Sequence, residues 1–191
     1  MKVTIGVVKL VFLHLDKPSK PPGNTGKEKY SAVVLFKKGG NVEKILNEKF
    51  EEVVKEELSN SSSKWKGKRP PDAKFDKVFK DAWDTFEADW AEGFKYFTPK
   101  SEFEIPILDK DLKPLEVNDP QVYDGMLAQI CVNLYTYTHD SGGKGVSSFL
   151  NSIRIFPGGK KLDLQFDPTK DYVEQDIEDE IEEGENYDDL V

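Results

Sequence analysis

From Met126 to Thr138 the chain alternates apolar and polar residues with a period of two. Ala128, Ile130, Val132 and Leu134 fall on one side, and Gln129, Cys131, Asn133, Tyr135 and Tyr137 on the other. Successive side chains of a strand point to opposite faces, so this stretch is a long strand with one dry face and one wet face. It must lie in a sheet that closes over a core. Two tyrosines two residues apart on the wet face form a platform on which bases could stack. They would serve equally as the half-buried rings that stabilise cross-strand pairs.

The rest of the chain fits a sheet. Residues 3–15 and 30–38 read as the first two strands. Residues 103–108 read as a short edge strand, because Pro106 cannot donate to a ladder. Residues 152–156 and 162–166 read as the last two. The stretch 17–27, with its prolines and glycines, must be a loop, as must 109–120 and the glycine-rich turn 139–145. Two segments have helical spacing instead. Over 41–58, Val42, Ile45, Leu46, Phe50, Val53, Val54 and Leu58 share one face behind Asn41 as N-cap. Over 73–91, Phe75, Val78, Phe79, Ala82, Trp83, Phe86 and Trp90 form an aromatic stripe behind Asp72, which reads as core. Strands and helices do not alternate as in a parallel α/β sheet. The expected class is mainly β with helical insertions (α+β), a small twisted barrel or sandwich.

Charge divides the chain. The net charge is −9, but 11 of the 36 acidic residues lie in 171–191, which holds no Lys or Arg. The remaining 170 positions hold 25 acidic against 27 basic residues. A mildly basic body over 1–170 therefore carries a strongly acidic tail over 171–191, whose composition predicts disorder. The one cysteine, Cys131, allows no internal disulfide, and no Cys/His cluster suggests zinc. The N-terminal stretch is broken by Lys2, Lys9 and His14, unlike a signal peptide or a membrane span. A cytoplasmic protein is expected.

Binding features outnumber catalytic ones. Arg154 and Phe156 alternate with the inward Ile153 and Ile155, so they share the wet face. Lys144 lies on the glycine-rich turn, where backbone can approach a phosphate. Lys64, Trp65, Lys66, Gly67, Lys68 and Arg69 set four cations around one indole. A binder of single strands needs charge for the backbone and rings for the bases. An exposed Trp has little other reason to sit among lysines; the alternative is a Trp tucked into the body. Tyr30 and Lys38 share a face of the second strand and are weaker candidates. Gly142 to Ser147 lacks the spacing of a phosphate-binding loop, and His14 and His139 belong to no triad or metal motif. No enzyme and no cofactor is expected.

Several of these residues form a pattern in order. Tyr123-Asp124-Gly125, the strand ending in Tyr135 and Tyr137, Gly142-Gly143-Lys144-Gly145-Val146-Ser147, and Leu150-Asn151 with Ile153-Arg154 resemble a family of phage-encoded single-stranded DNA-binding proteins. Lys29-Tyr30-Ser31, Trp65-Lys66-Gly67-Lys68 and Pro106-x-x-Asp109 extend the resemblance over about residues 9–160. It implies an OB-fold-like Greek-key β-barrel. It also implies sequence-independent binding of single-stranded DNA in phage replication, recombination or repair, within the host cytoplasm. The acidic tail resembles those that compete with DNA and recruit replication proteins. Its end, Tyr187, Asp188, Asp189, Leu190 and Val191, would dock in a cation-rimmed pocket, but it lacks the terminal phenylalanine common in such tails. The segment 73–91 matches no family feature. The expected partners are single-stranded DNA and replication proteins, with no membrane; a homodimer is compatible with the sequence. Two alternatives remain: an acidic-tailed DNA mimic that inhibits or recruits a nucleic-acid enzyme, and a structural phage protein.

Overall fold

The computed structural model describes residues 1–20, 26–63, 65–69, 75–76, 78–138 and 144–164. Four strands carry the architecture: β1 (Lys2–Ser19), β2 (Lys29–Lys37), β9 (Leu127–Thr138) and β10 (Lys144–Phe156). Between β2 and β9 lie helix α1 (Asn41–Ser59) and the short strands β3 (Phe75–Asp76), β4 (Lys80–Asp81), β5 (Phe94–Phe97), β6 (Lys100–Ser101), β7 (Ile107–Leu108) and β8 (Pro114–Leu115). β1 pairs antiparallel with both β2 and β9, and β9 with β10. β6 bridges the two ends of this run, pairing parallel with β10 and antiparallel with β2. The fold is mainly β with few helices.

The alternation over β9 decides which face is dry. Ala128, Ile130, Val132 and Leu134 are fully buried, while Gln129 to Tyr137 on the other side are half-buried. Leu46, Phe50, Val53 and Val54 of α1 cover one end of the same core. Gly40, not the expected Asn41, is the N-cap of α1; Asn41 is already helical. The Glu43 carboxylate instead braces the turn before the helix, accepting the Gly39 N–H at 2.6 Å. It also accepts from Lys95 Nζ at 2.5 Å, and these bonds, Lys95 first, hold the Glu43 carboxyl below the ordinary range.

The helix expected over 73–91 does not form. The described residues give β3, β4, a single turn α2 (Trp83–Phe86) and a 3-10 turn at Asp89–Ala91. The aromatic stripe splits between two cores. Phe79 packs edge-on against Phe36, Phe50 and Phe97 in the main core. Phe86 and Trp90 join Phe12 and Tyr96 in a second cluster on the other side of β1 and β2, over Val11, Val33 and Leu35. One straight helix cannot serve both faces of a sheet. Glu87, at φ 47°, closes α2 in the left-handed conformation. Asp72 lies outside the described residues.

Strand limits also change. β10 begins at Lys144, eight residues before the expected start. Residues 162–164 are not strand; there Leu162 N–H donates to Asp124 O and Leu162 and Leu164 pack on the second cluster. The strand expected over 103–108 shrinks to β7 and is not at an edge, since β10 pairs with it on one side and β8 on the other. Among the described residues no helix is long and apolar enough to cross a membrane.

Candidate nucleic-acid interface

The half-buried face of β9 and β10 brings together four of the expected binding residues, Tyr135, Tyr137, Arg154 and Phe156. Antiparallel register sets Tyr137 opposite Gly145, Tyr135 opposite Ser147, Asn133 opposite Phe149, and Gln129 opposite Arg154. Tyr135 and Phe149 lie on one diagonal, and their rings stack at 4.7 Å between centroids with an interplanar angle of 22°. Phe149 remains 38% exposed. It went unnoticed in the sequence because the expected strand began at Ser152, so Phe149 had no face. Register extends this row to both sides: Asn133 faces Lys2 on β1, and Phe149 faces Lys100 on β6. Both lysines are exposed, and neither has a carboxylate within salt-bridge distance among the described residues. The result is an aromatic pair between two cations, a row that no single segment of sequence reveals.

Arg154 and Phe156 do share the wet face. The Arg154 guanidinium lies over the Phe156 ring, 5.0 Å from its centroid. Arg154 also donates to Lys110 O at 2.5 Å. The Pro106-x-x-Asp109 motif shapes that contact. Pro106 O accepts the Ile153 N–H, and Asp109 Oδ1 accepts the N–H groups of Asp111 and Lys113, folding the turn that presents Lys110 O. Those backbone bonds, Lys113 first, hold the Asp109 carboxyl below its usual range.

Two glycine positions explain their motifs by close approach. A Cβ on Gly145 would lie 2.7 Å from Tyr137 Oη and 2.8 Å from its Cζ, so the Tyr137 ring covers the glycine. Gly145→Ala is expected to lift that ring and to cost about 1–3 kcal/mol by overpacking, measured by denaturant unfolding beside oligo-dT affinity. Gly125 has φ +96°, and a Cβ there would collide with Lys160 O. The Tyr123-Asp124-Gly125 motif is a clasp: Tyr123 Oη donates to Gly159 O at 2.9 Å, Gly125 N–H to Leu10 O at 2.7 Å, and Leu13 N–H to Asp124 Oδ1 at 3.3 Å. Burial pushes the Asp124 carboxyl up despite the backbone N–H donors of Leu13 and Phe12.

The basic loop differs from expectation. Trp65 is 1% exposed and belongs to the main core; it does not stand among the lysines as expected. Its Nε1 donates to Tyr137 O at 3.5 Å, and its backbone N–H to Ser63 Oγ at 2.9 Å. Glu57 joins helix, loop and strand, accepting from Ser63 Oγ at 2.5 Å and from Thr136 Oγ1 at 2.7 Å. Lys66 and Lys68 stay exposed, held near the Tyr137 end of β9 by that buried ring. Arg69 is engaged in a forked pair with Glu51 at 3.0–3.2 Å. Lys64 lies outside the described residues.

Other candidates are placed away from the aromatic pair. Lys144 is in strand, not turn, and alternation sets it on the side of Val146 and Ser148, opposite Tyr135. Lys38 lies beyond the end of β2 and pairs with Asp81. Tyr30 is half-buried against the main core. His139 to Gly143 and the tail residues Tyr187 to Val191 lie outside the described residues. Among the described residues, no group of three or more His, Cys, Asp or Glu could hold a metal ion.

Residues 1–182 match the model of a family described as Enterobacter phage Enc34, ssDNA-binding protein. The chain belongs to this family. It is a family of single-stranded DNA-binding proteins, a non-enzymatic class. A putative protein p50 of Acyrthosiphon pisum secondary endosymbiont phage 1 is 26% identical over 171 residues, covering 83% of this chain and 85% of that one. The fold is similar to the single-stranded DNA-binding protein of bacteriophage Enc34 solved in complex with ssDNA, with TM-score 0.64 and 21% identity over 87% of this chain and 89% of that one. It is similar too to gp2.5, a single-stranded DNA-binding protein encoded by bacteriophage T7, with TM-score 0.58 and 14% identity over 97% of each chain.

Proposed function

We propose that this protein binds single-stranded DNA without regard to sequence, in phage DNA replication, recombination or repair within the host cytoplasm. The observation that carries the reading is the stacked Tyr135–Phe149 pair on the outward face of β9 and β10, between Lys2 and Lys100. Every base has a π face, so a ring platform accepts any sequence, while lysines follow the phosphates. Tyr137, Arg154, Phe156, Lys66 and Lys68 extend the surface. Family membership supports the same ligand.

The ring of pairings β1–β2–β6–β10–β9–β1, with β6 and β10 parallel, supports an OB-type Greek-key barrel. The acidic segment 171–191 acts as a tethered competitor for the basic face, present at high effective concentration, and is released to replication proteins when DNA binds.

Fluorescence polarisation with labelled oligo-dT across a salt series tests the reading. Full-length protein is expected to bind in a salt-sensitive manner, and a 1–170 truncation to bind at least as tightly. Lys66→Ala, Lys68→Ala and Lys100→Ala together are expected to flatten the log–log salt slope by about 2, at about 0.7 for each phosphate that is no longer neutralised. Absence of binding by both forms at low salt would overturn the proposal. Activity carried by the tail alone would favour a DNA mimic.

A further inference from the structure

Phe103 is the most exposed large apolar side chain among the described residues, at 79%. Its main chain is nonetheless pinned. Ser101 Oγ donates to Phe103 O at 2.7 Å and accepts the Phe103 N–H at 3.0 Å. Glu102 and Glu104 flank it, both exposed. An aromatic knob on a pinned main chain between two carboxylates is poorly suited to DNA, whose phosphates it would repel. It suits an apolar hollow rimmed by cations.

The chain carries such a hollow. A cleft of about 430 Å³ opens between the middle of β1, the end of β2 and the start of α1. Val7, Val42 and Phe94 line it, and Val7 is 56% exposed. Lys9 and Lys37 stand on its rim, with Lys9 Nζ 5.0 Å from the Phe94 ring centroid. Neither lysine has a carboxylate within salt-bridge distance among the described residues. The two features cannot meet within one molecule. The knob adjoins the start of β2, through the Lys29–Glu102 pair at 3.3 Å, and the hollow adjoins Leu35–Lys37 at its end. The strand separates them by about 24 Å at 3.4 Å per residue.

We propose that successive copies of this chain on one DNA strand join head to tail, Phe103 of one copy filling the Val7/Val42/Phe94 hollow of the next. Glu102 and Glu104 then face Lys9 and Lys37. Knob and hollow are different surfaces at opposite ends of a strand, so the contact is heterologous and propagates along a strand instead of closing a dimer. Neither surface uses the Tyr135–Phe149 face, which stays open to DNA. The inference rests on the single-strand-binding reading above.

Full-length protein is titrated onto two probes: an oligo-dT short enough to hold one protein, set by stoichiometric titration, and long poly-dT. Phe103→Ala is expected to leave short-probe affinity unchanged and to raise half-saturation on poly-dT about tenfold, with loss of sigmoidal binding. Glu102→Lys/Glu104→Lys is expected to do the same, and adding Lys9→Glu with Lys37→Glu to it restores cooperative binding. Unchanged poly-dT binding by Phe103→Ala overturns the proposal. So does weakened short-probe binding by Lys9→Glu/Lys37→Glu alone, which would make the hollow a DNA contact. Failure of the unaltered protein to bind the short probe would instead overturn the single-strand-binding reading.

Discussion

The double variant Tyr135→Ala/Phe149→Ala is expected to weaken oligo-dT binding by at least about tenfold, with the salt slope unchanged. Base–aromatic stacking is worth about 1–3 kcal/mol per base, and 1.4 kcal/mol is a factor of ten in affinity. The two rings form one stacked unit, 4.7 Å apart, so each holds the other in place. Removing either alone therefore disturbs both, and the single losses should not add. No charge is removed, so the number of neutralised phosphates stays constant while affinity falls. That separates this variant from the lysine variants, which change the slope. Tyr135→Phe keeps the ring and is expected to retain most of the affinity. Phe149 is partly exposed and Tyr135 half-buried, so the loss of stability should be limited to the ring pair itself, about 0.5–1.5 kcal/mol beyond buried area. Undiminished binding by the double variant, in a protein that unfolds like the parent, would move the DNA site to another face.

What the sequence made legible follows from the range of the signal. The period-two pattern of β9 named its dry and wet faces correctly, because each strand residue reports its own face. The same holds for Ile153, Arg154, Ile155 and Phe156 on β10, and α1 was visible in its buried Leu46, Phe50, Val53 and Val54. The aromatic pair was only half legible. Tyr135 could be read locally, but its partner Phe149 lies across a ladder whose register no local pattern sets. Lys2 and Lys100 join the site through two further ladders, one of them to the two-residue strand β6. The segment 73–91 misled for a related reason. Its three- and four-residue spacing is real, but Phe79 and Phe86 serve cores on opposite sides of the sheet. Periodicity cannot state that two members of one stripe have different destinations. The motif Tyr123-Asp124-Gly125 was recognisable as a pattern while its task was hidden, since the clasp closes on Leu10, Leu13 and Gly159, all distant in sequence.

Trp65 is where local chemistry pointed outward and packing turned the ring inward, and its removal is expected to give the largest loss of stability. Trp65→Ala should lower the unfolding free energy by about 3–5 kcal/mol, as truncation of a buried Trp does. At about 2–4 °C per kcal/mol for a chain of this size, the melting temperature should fall by about 10 °C. The indole is buried in the main core and donates to Tyr137 O at the end of β9. Ser63, Glu57 and Thr136 form a polar chain beside it that depends on the same packing. A second consequence distinguishes this role from a stacking one. Lys66 and Lys68 are exposed on either side of Gly67, just beyond the buried ring, so the Trp fixes where their charge is presented. Without it, the two lysines lose that fixed position, and the salt slope for oligo-dT should fall although no charge has been removed. Trp65→Phe should lose less stability and keep the slope. A Trp that stacked on bases would behave in the opposite way: the alanine variant would unfold like the parent, and affinity would drop at every salt concentration with the slope intact. Unfolding and salt titration of these two variants therefore decide between a ring that touches DNA and a ring that holds in place the charges that do.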